Sequence, residues 1–253
     1  MKLLSKIKSK PYIVAEIGIN HNGYLDLAKK LILEAKKAGA DAVKFQMWRA
    51  NDLYNDTHPS WKFIKKSELT VEKTRKLKAI ADKARIEFFC SAFYPDAITF
   101  LEKLKVKRYK VASRTCLLND PFSLETLHEK AATRKPVIIS MGMGGNRKKI
   151  EKIFSKNLTT FCYCVSEYPT PMNKIDWANA IHYDGFSDHT LGITAPLIFT
   201  ILKKQQGVKK IIIEKHVKLK NSNGPDASSS IDTSEFIQMI SAIRMIEKLK
   251  FKN

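Results

Sequence analysis

Short runs of apolar, β-branched residues alternate with longer amphipathic stretches along the whole chain, and this alternation predicts eight strands separated by helices. The strands are read at Tyr12 to Ile17, Ala42 to Gln46, Glu87 to Ser91, Tyr109 to Ala112, Val137 to Ser140, Thr160 to Val165, Gly185 to Ser187 and Lys210 to His216, the seventh being the weakest. Between the first two, Leu27, Ala28, Leu31, Ile32, Ala35 and Ala38 repeat at helical spacing, and Gly39 follows where a helix end favours a left-handed residue. Similar patterns cover Val71 to Arg85, Asp96 to Leu104, Leu124 to Ala131, Arg147 to Phe154 and Thr194 to Lys204, while the stretch after the sixth strand is poorly patterned. The last helix begins at Asp232-Thr-Ser-Glu235, a capping-box arrangement, and sets Phe236, Met239, Ile240, Ile243 and Ile246 on one face.

Eight strand–helix units in 253 residues fit a closed (β/α)8 TIM barrel of the α/β class better than an open doubly wound sheet. No Gly/Ser-rich linker divides the chain, so residues 1–253 are expected to form a single domain. Composition adds three constraints. Lys and Arg outnumber Asp and Glu by 45 to 25, a net charge of +20, but most of the excess is Lys scattered on helix faces. With no helix-turn-helix, RNP or zinc-finger pattern, this reads as a solvated surface rather than a nucleic-acid footprint. Four cysteines without a C-x-x-C pair suit a reducing compartment, so the cytoplasm is expected. No apolar run reaches the length of a membrane span, and no membrane partner is expected.

A barrel gathers the residues at the C-terminal ends of its strands around one mouth. Those ends carry Glu16; Lys44 and Gln46; Ser91; Lys110 and Ser113; Ser140; Ser166, Glu167 and Tyr168; Ser187, Asp188 and His189; and Glu214, Lys215 and His216. Lys44 and Lys110 interrupt otherwise apolar strands, where an ammonium is costly unless an anion meets it. Together with neighbouring Ser hydroxyls they would form a phosphate or carboxylate cradle; the alternative is that each snorkels outward between helices. His189 and His216 end neighbouring strands, flanked by Asp188 and Glu214, and would share an ion in an open site, or else each is hydrogen-bonded in the core. The open site would suit Mn²⁺, Mg²⁺ or Co²⁺ acting as a Lewis acid.

Three further features are weaker signals. His21, in Asn20-His21-Asn22-Gly23, would contact substrate or shape a tight loop. Cys162 and Cys164, two apart on a strand, read as packing on one face, and Gly142 with Gly144-Gly145 offer backbone N–H groups without a phosphate-loop spacing.

Seven stretches in order, Ala15-Glu-Ile-Gly-Ile-Asn-His-Asn-Gly23, Ala40-Asp-Ala-Val-Lys-Phe-Gln46, Tyr109-Lys-Val-Ala-Ser113, Ser166-Glu-Tyr-Pro-Thr-Pro171, Gly185-Phe-Ser-Asp-His-Thr-Leu-Gly192, Glu214-Lys-His216 and Gly224-Pro-Asp226, resemble the N-acetylneuraminate (sialic acid) synthase family. The resemblance implies a TIM-barrel transferase of carbohydrate biosynthesis. Such an enzyme condenses phosphoenolpyruvate with an N-acylated amino sugar to a nine-carbon 2-keto acid and phosphate, using a divalent metal, manganese first, with magnesium or cobalt as alternatives. Carried over by motif, Lys44, Lys110, Ser113, Ser140, Ser187 and Ser91 would bind phosphoenolpyruvate. His189 and His216 would hold the metal, Gln46, Tyr168 and Asp226 would face the sugar, and Glu16 would lie beside the reacting centre.

The chain departs from the family in three places. Arg114-Thr115 stands where Gly and an acidic sugar contact are usual, and Tyr163 stands where a His usually precedes Cys. The sequence also stops at Asn253, without the antifreeze-like C-terminal domain that donates an Arg to a partner's site in full-length relatives. Arg114, at the fourth strand end, is expected to replace that Arg; the alternatives are Arg49, a separate chain or a different sugar, and a homodimer or a separate chain is the expected partner supplying the missing domain. Two alternative functions follow: a phosphoenolpyruvate-using synthase with a different acceptor, or an inactive barrel serving as a binding or scaffold subunit.

Overall fold

A computed structural model describes residues 10–208, 210–224 and 226–250; Pro225, inside the Gly224-Pro-Asp226 motif, lies outside them. Its elements run β1 Tyr12–Gly18, α1 Leu25–Ala38, β2 Ala42–Met47, α2 Ala50–Leu53, α3 Trp61–Ser67, α4 Val71–Lys83, β3 Glu87–Ala92, α5 Pro95–Lys103 and β4 Tyr109–Val111. The second half continues with α6 Ser123–Ala132, β5 Val137–Ser140, α7 Arg147–Ile153, β6 Thr159–Tyr163, α8 Trp177–Ala180, β7 Gly185–Asp188, α9 Thr194–Gln205, β8 Ile212–Lys218, β9 Ile231–Asp232 and α10 Thr233–Ile246. Strands β1 to β8 pair in chain order, all parallel, and β8 returns to pair with β1. The sheet is therefore a closed eight-stranded parallel barrel, the expected (β/α)8 architecture, with the two-residue β9 added beside β8.

The pattern of the sequence explains the packing. Ala28, Leu31, Ile32 and Ala35 form the buried stripe of α1, and full burial of a Leu or Ile side chain contributes about 1.5–3 kcal/mol. Gly39 ends this helix at φ 91°, its N–H donating to the Lys36 carbonyl at 3.0 Å. Asp232 and Glu235 close the capping box of α10, whose Phe236, Met239, Ile240, Ile243 and Ile246 are buried. A layer of Val14, Ala42, Phe89, Ile138, Cys162 and Ile212 fills the barrel interior, and a larger cluster lies between strands and helices.

Boundaries differ from the sequence reading where local signals are short. The fourth strand stops at Val111, the sixth runs Thr159–Tyr163 and the eighth Ile212–Lys218. Helices α2, α3 and α8, of four, seven and four residues, are too brief for a 3.6-residue repeat to emerge, and β9 has two residues. The weakly patterned seventh strand is present and pairs on both sides. Among the described residues, no helix is long and apolar enough to cross a membrane.

Candidate active site

Side chains alternate along a strand, so residues two apart share a face. On β8, Glu214 and His216 share the barrel interior, while Lys215 between them pairs with Asp188 at 2.6 Å on the helix side. Asp188 therefore does not flank the histidine pair as expected: one step along β7 turns it away from the Ser187 face, and it anchors Lys215 and the Thr190 N–H. Register places the interior groups side by side: Glu16 is opposite Lys44 and His216, Gln46 opposite Ser91, Ser91 opposite Lys110, and Ser187 opposite Glu214.

Four charged groups meet in that interior, each under one-tenth exposed. Lys44 Nζ lies 2.7 Å from Glu16 Oε2, 3.3 Å from Ser91 Oγ and 3.6 Å from Glu214 Oε2. Lys110 Nζ donates to Ser140 Oγ at 2.6 Å and to Glu214 Oε1 at 3.1 Å, and Ser187 Oγ donates to the same Glu214 oxygen at 2.7 Å. Neither lysine snorkels; both turn into the barrel interior, where each meets a carboxylate and a serine hydroxyl.

Burial works against the Glu214 charge, yet Lys110 and Lys44 outweigh it and hold that carboxyl well below the usual carboxylate range. Glu16 is driven the other way: burial raises it against the pull of Lys44, and the Glu214 charge adds to the rise. Burial alone would lower Lys110, but Glu214 and the neighbouring thiols Cys162 and Cys164 hold it above its ordinary value. Two carboxyl groups sharing one lysine are thus pushed apart in acidity, Glu16 being the weaker acid of the two.

His189 and His216 stand beside this cradle, ring centroids 5.4 Å apart. The Val165 carbonyl, 3.1 Å from His189 Nδ1, can only accept, so it fixes a proton there and leaves the Nε2 lone pair free. His216 Nδ1 is buried without a hydrogen bond among the described residues and lies 3.6 Å from Asp226 Oδ2. Burial, with the His216 charge adding to it, pushes His189 down to about 3, and burial also lowers His216. Two neutral imidazoles, one with an orphaned nitrogen, fit an open metal site. Among the described residues no group of three or more His, Cys, Asp and Glu side chains is placed to hold an ion, so the remaining coordination would fall to water or substrate.

The other predicted residues form the pocket wall. Gln46 Nε2 donates to Glu16 Oε1 at 3.0 Å, and the half-exposed Tyr168 ring lies 4.3 Å from that of His189. Asp226 Oδ2 accepts from the Ile19 N–H at 3.2 Å; a Cβ at Gly18, where φ is 51°, would come within 2.5 Å of that oxygen. Ser113 is buried, and its Oγ accepts from the Gly142 N–H at 3.0 Å. That bond uses the Gly142 donor that an anion would otherwise have met.

Arg114 opens a 3₁₀ turn after β4 and forms a two-pronged pair with Asp120, both bonds 2.7 Å, and Nη2 also donates to the Leu53 carbonyl at 3.0 Å. His21 shapes its loop: it is buried, and Nδ1 accepts from the Gly23 N–H at 3.1 Å.

One correction concerns the cysteines. Cys162 fills the barrel interior, and Cys164, just past the end of β6, stands with it beside Lys110 but reaches Ser113 Oγ at 3.7 Å and His189 Nδ1 at 3.8 Å, so it belongs to the site wall and is not packing alone. Sequence reasoning also gave Glu214 no place of its own in the pocket. The available signal was its two-residue spacing from His216.

Comparison with known proteins agrees with the barrel fold. Residues 31–252 match the NeuB family. An uncharacterised protein, MJ1065, of Methanocaldococcus jannaschii is 37% identical over 96% of this chain and 73% of its own length. The N,N'-diacetyllegionaminic acid synthase of Legionella pneumophila is 32% identical over 93% of this chain and 72% of its own. The crystal structure of an N-acetylneuraminic acid synthetase from Leptospira borgpetersenii superposes with a TM-score of 0.84 at 28% identity, covering 95% of this chain and 85% of that one. The chain belongs to the NeuB family.

Proposed function

We propose that this chain condenses phosphoenolpyruvate with an N-acylated amino sugar, yielding a nine-carbon 2-keto sugar acid and phosphate. The carrying observation is the buried pair Lys44 and Lys110, joined through Glu214 and ringed by Ser91, Ser140 and Ser187, directly beside His189 and His216. The sugar-acid synthases among its relatives support the same reading.

In this reading the two ammonium groups hold the carboxylate and phosphate of phosphoenolpyruvate, and the serine hydroxyls with Ser113 fix its orientation. Gln46, Tyr168 and Asp226 line the side on which the open-chain sugar enters. C3 of phosphoenolpyruvate forms the new bond to the sugar's aldehyde carbon, water adds at C2, and the C2–O bond to phosphate breaks. The Glu16 carboxyl, made a weaker acid by burial and by the Glu214 charge, would supply a proton to the former aldehyde oxygen. His189 and His216 would hold a divalent ion, manganese ahead of magnesium or cobalt, which when bound supplies Lewis-acid polarisation of the aldehyde. The setting is the cytoplasm, in keeping with four free cysteines.

The Arg114–Asp120 pair favours a second reading within this chemistry. Arg114 and the buried Thr115 stand where the family's Gly and acidic sugar contact are usual, and among the described residues the Arg114 guanidinium is spent on Asp120 and the Leu53 carbonyl, so the acceptor would differ in the group meeting that wall.

Phosphate release from phosphoenolpyruvate, assayed with Mn²⁺ and a panel of N-acyl amino sugars, tests the proposal. Acceptor-dependent release, abolished by EDTA and by His216→Ala, is expected. No release with any acceptor, alongside intact phosphoenolpyruvate binding, would instead mark a binding or scaffold barrel.

A further inference from the structure

The opposite end of the barrel holds a cavity of about 770 Å³, within the size range of small-molecule sites. Its base is apolar: Tyr12, Ile138 and Ile212 are the lowest inward-facing residues of β1, β5 and β8, with Leu158 and Val106 at the sides. Its rim is cationic, with six Lys and Arg side chains against three carboxylates.

The carboxylates are already matched. Asp41 pairs with Lys10 at 3.2 Å, Glu87 with Arg108 at 2.6 Å and Glu102 with Lys135 at 2.6 Å. Lys105, Lys107 and Arg134 are left, all exposed and without a carboxylate partner among the described residues. Lys105 and Arg134 follow the ends of α5 and α6 at φ 56° and 57°, a left-handed backbone in which glycine would be the unstrained residue. Attraction to the helix C-terminal dipoles accounts for a cation at those two positions. It does not account for Lys107, which lies in the loop before β4, nor for three unmatched charges converging on one apolar hollow.

We propose that this floor cavity is a binding site for a small organic anion, with an aromatic or aliphatic body seated on Tyr12, Ile138 and Ile212 and a phosphate or carboxylate held by Lys105, Lys107 and Arg134. Charge complementarity selects the anion, and the apolar base selects a molecule larger than a bare phosphate. The same strands reach both ends: Tyr12 is four positions from Glu16 and Ile212 two from Glu214, at a rise of about 3.3 Å per position. A ligand on the floor would thus press on the strands that carry the mouth.

The test is calorimetric titration of the full chain with phenyl phosphate, alongside phenol and inorganic phosphate. Phenyl phosphate should bind at least tenfold more tightly than either half-molecule. Binding should fall at least tenfold in the triple variant Lys105→Ala/Lys107→Ala/Arg134→Ala. It should also fall in Leu158→Trp, which fills the hollow with the cations in place and serves should the triple variant fold poorly. Equal affinity for phenyl phosphate in wild type and either folded variant would place the ligand elsewhere and overturn the proposal. Inorganic phosphate binding as tightly as phenyl phosphate would overturn it too, as would no binding to the full chain.

Discussion

The mouth and the floor of this barrel are built on the same strands and treat charge in opposite ways. At the mouth, Glu16, Lys44, Lys110 and Glu214 are buried and satisfied by one another. At the floor, Lys105, Lys107 and Arg134 stay in solvent with no carboxylate matched to them among the described residues. Desolvating an ion costs several kcal/mol, so the mouth charges persist only as a set and removing one strands its partner. The floor cations are hydrated and leave nothing stranded. Buried charge at the mouth therefore ties activity to stability, whereas exposed charge at the floor is free of that tie.

Substitution at the two ends should expose this contrast. The largest effect is expected for Lys110→Met, which leaves Glu214 with Ser187 and the 3.6 Å contact to Lys44. Urea unfolding should show a loss of about 3–5 kcal/mol, and acceptor-dependent phosphate release should fall at least a thousandfold. Adding Glu214→Gln should recover part of the stability and none of the activity; recovery of both would mean that the pair serves the fold alone.

A smaller effect belongs to Asn20, which donates to the Val217 carbonyl at 3.0 Å and to Ser230 Oγ at 2.8 Å, while Ser230 Oγ donates to the Asp226 carbonyl. Asn20→Ala should loosen Asp226, raising KM for the sugar about tenfold and leaving KM for phosphoenolpyruvate near wild type. A rise in both would show general damage to the mouth instead.

His21 supplies a pH test. Burial, with Lys73 adding to it, pushes its folded pKa down to about 4 from 6.5, so below pH 6.5 the unfolded chain binds the extra proton and stability falls until pH 4. His21→Gln should remove up to ~3 kcal/mol of that acid sensitivity, read as a flatter dependence of unfolding free energy between pH 7 and 4. An unchanged slope would assign the sensitivity to other groups. The smallest effects are expected at the floor: Lys105→Gly and Arg134→Gly should each shift stability by no more than about 0.5 kcal/mol. Relief of the left-handed backbone is offset there by glycine's freedom in the unfolded chain and by loss of the charge at the helix end. A loss above about 2 kcal/mol would erase the contrast between the ends.

The barrel was legible because each strand and long helix carries its own period, and Lys44 and Lys110 stood out as charges inside apolar runs. What escaped had no local period, as in α2, α3 and β9, or depended on which face a residue takes. Asp188 and Glu214 both sit next to or near a histidine in sequence; only strand alternation sends Asp188 to Lys215 and brings Glu214 between two lysines. The floor cavity left no mark at all, since its cations come from separate loops and look like any solvated surface.

The central claim is that Lys44, Lys110 and Glu214 form an anion cradle built for phosphoenolpyruvate. Calorimetric titration of phosphoenolpyruvate into the wild-type chain and into folded Lys110→Met/Glu214→Gln tests it most directly. Saturable binding by the wild type, weakened at least a hundredfold in the double variant, is the predicted result. Equal affinity in the two proteins would contradict it.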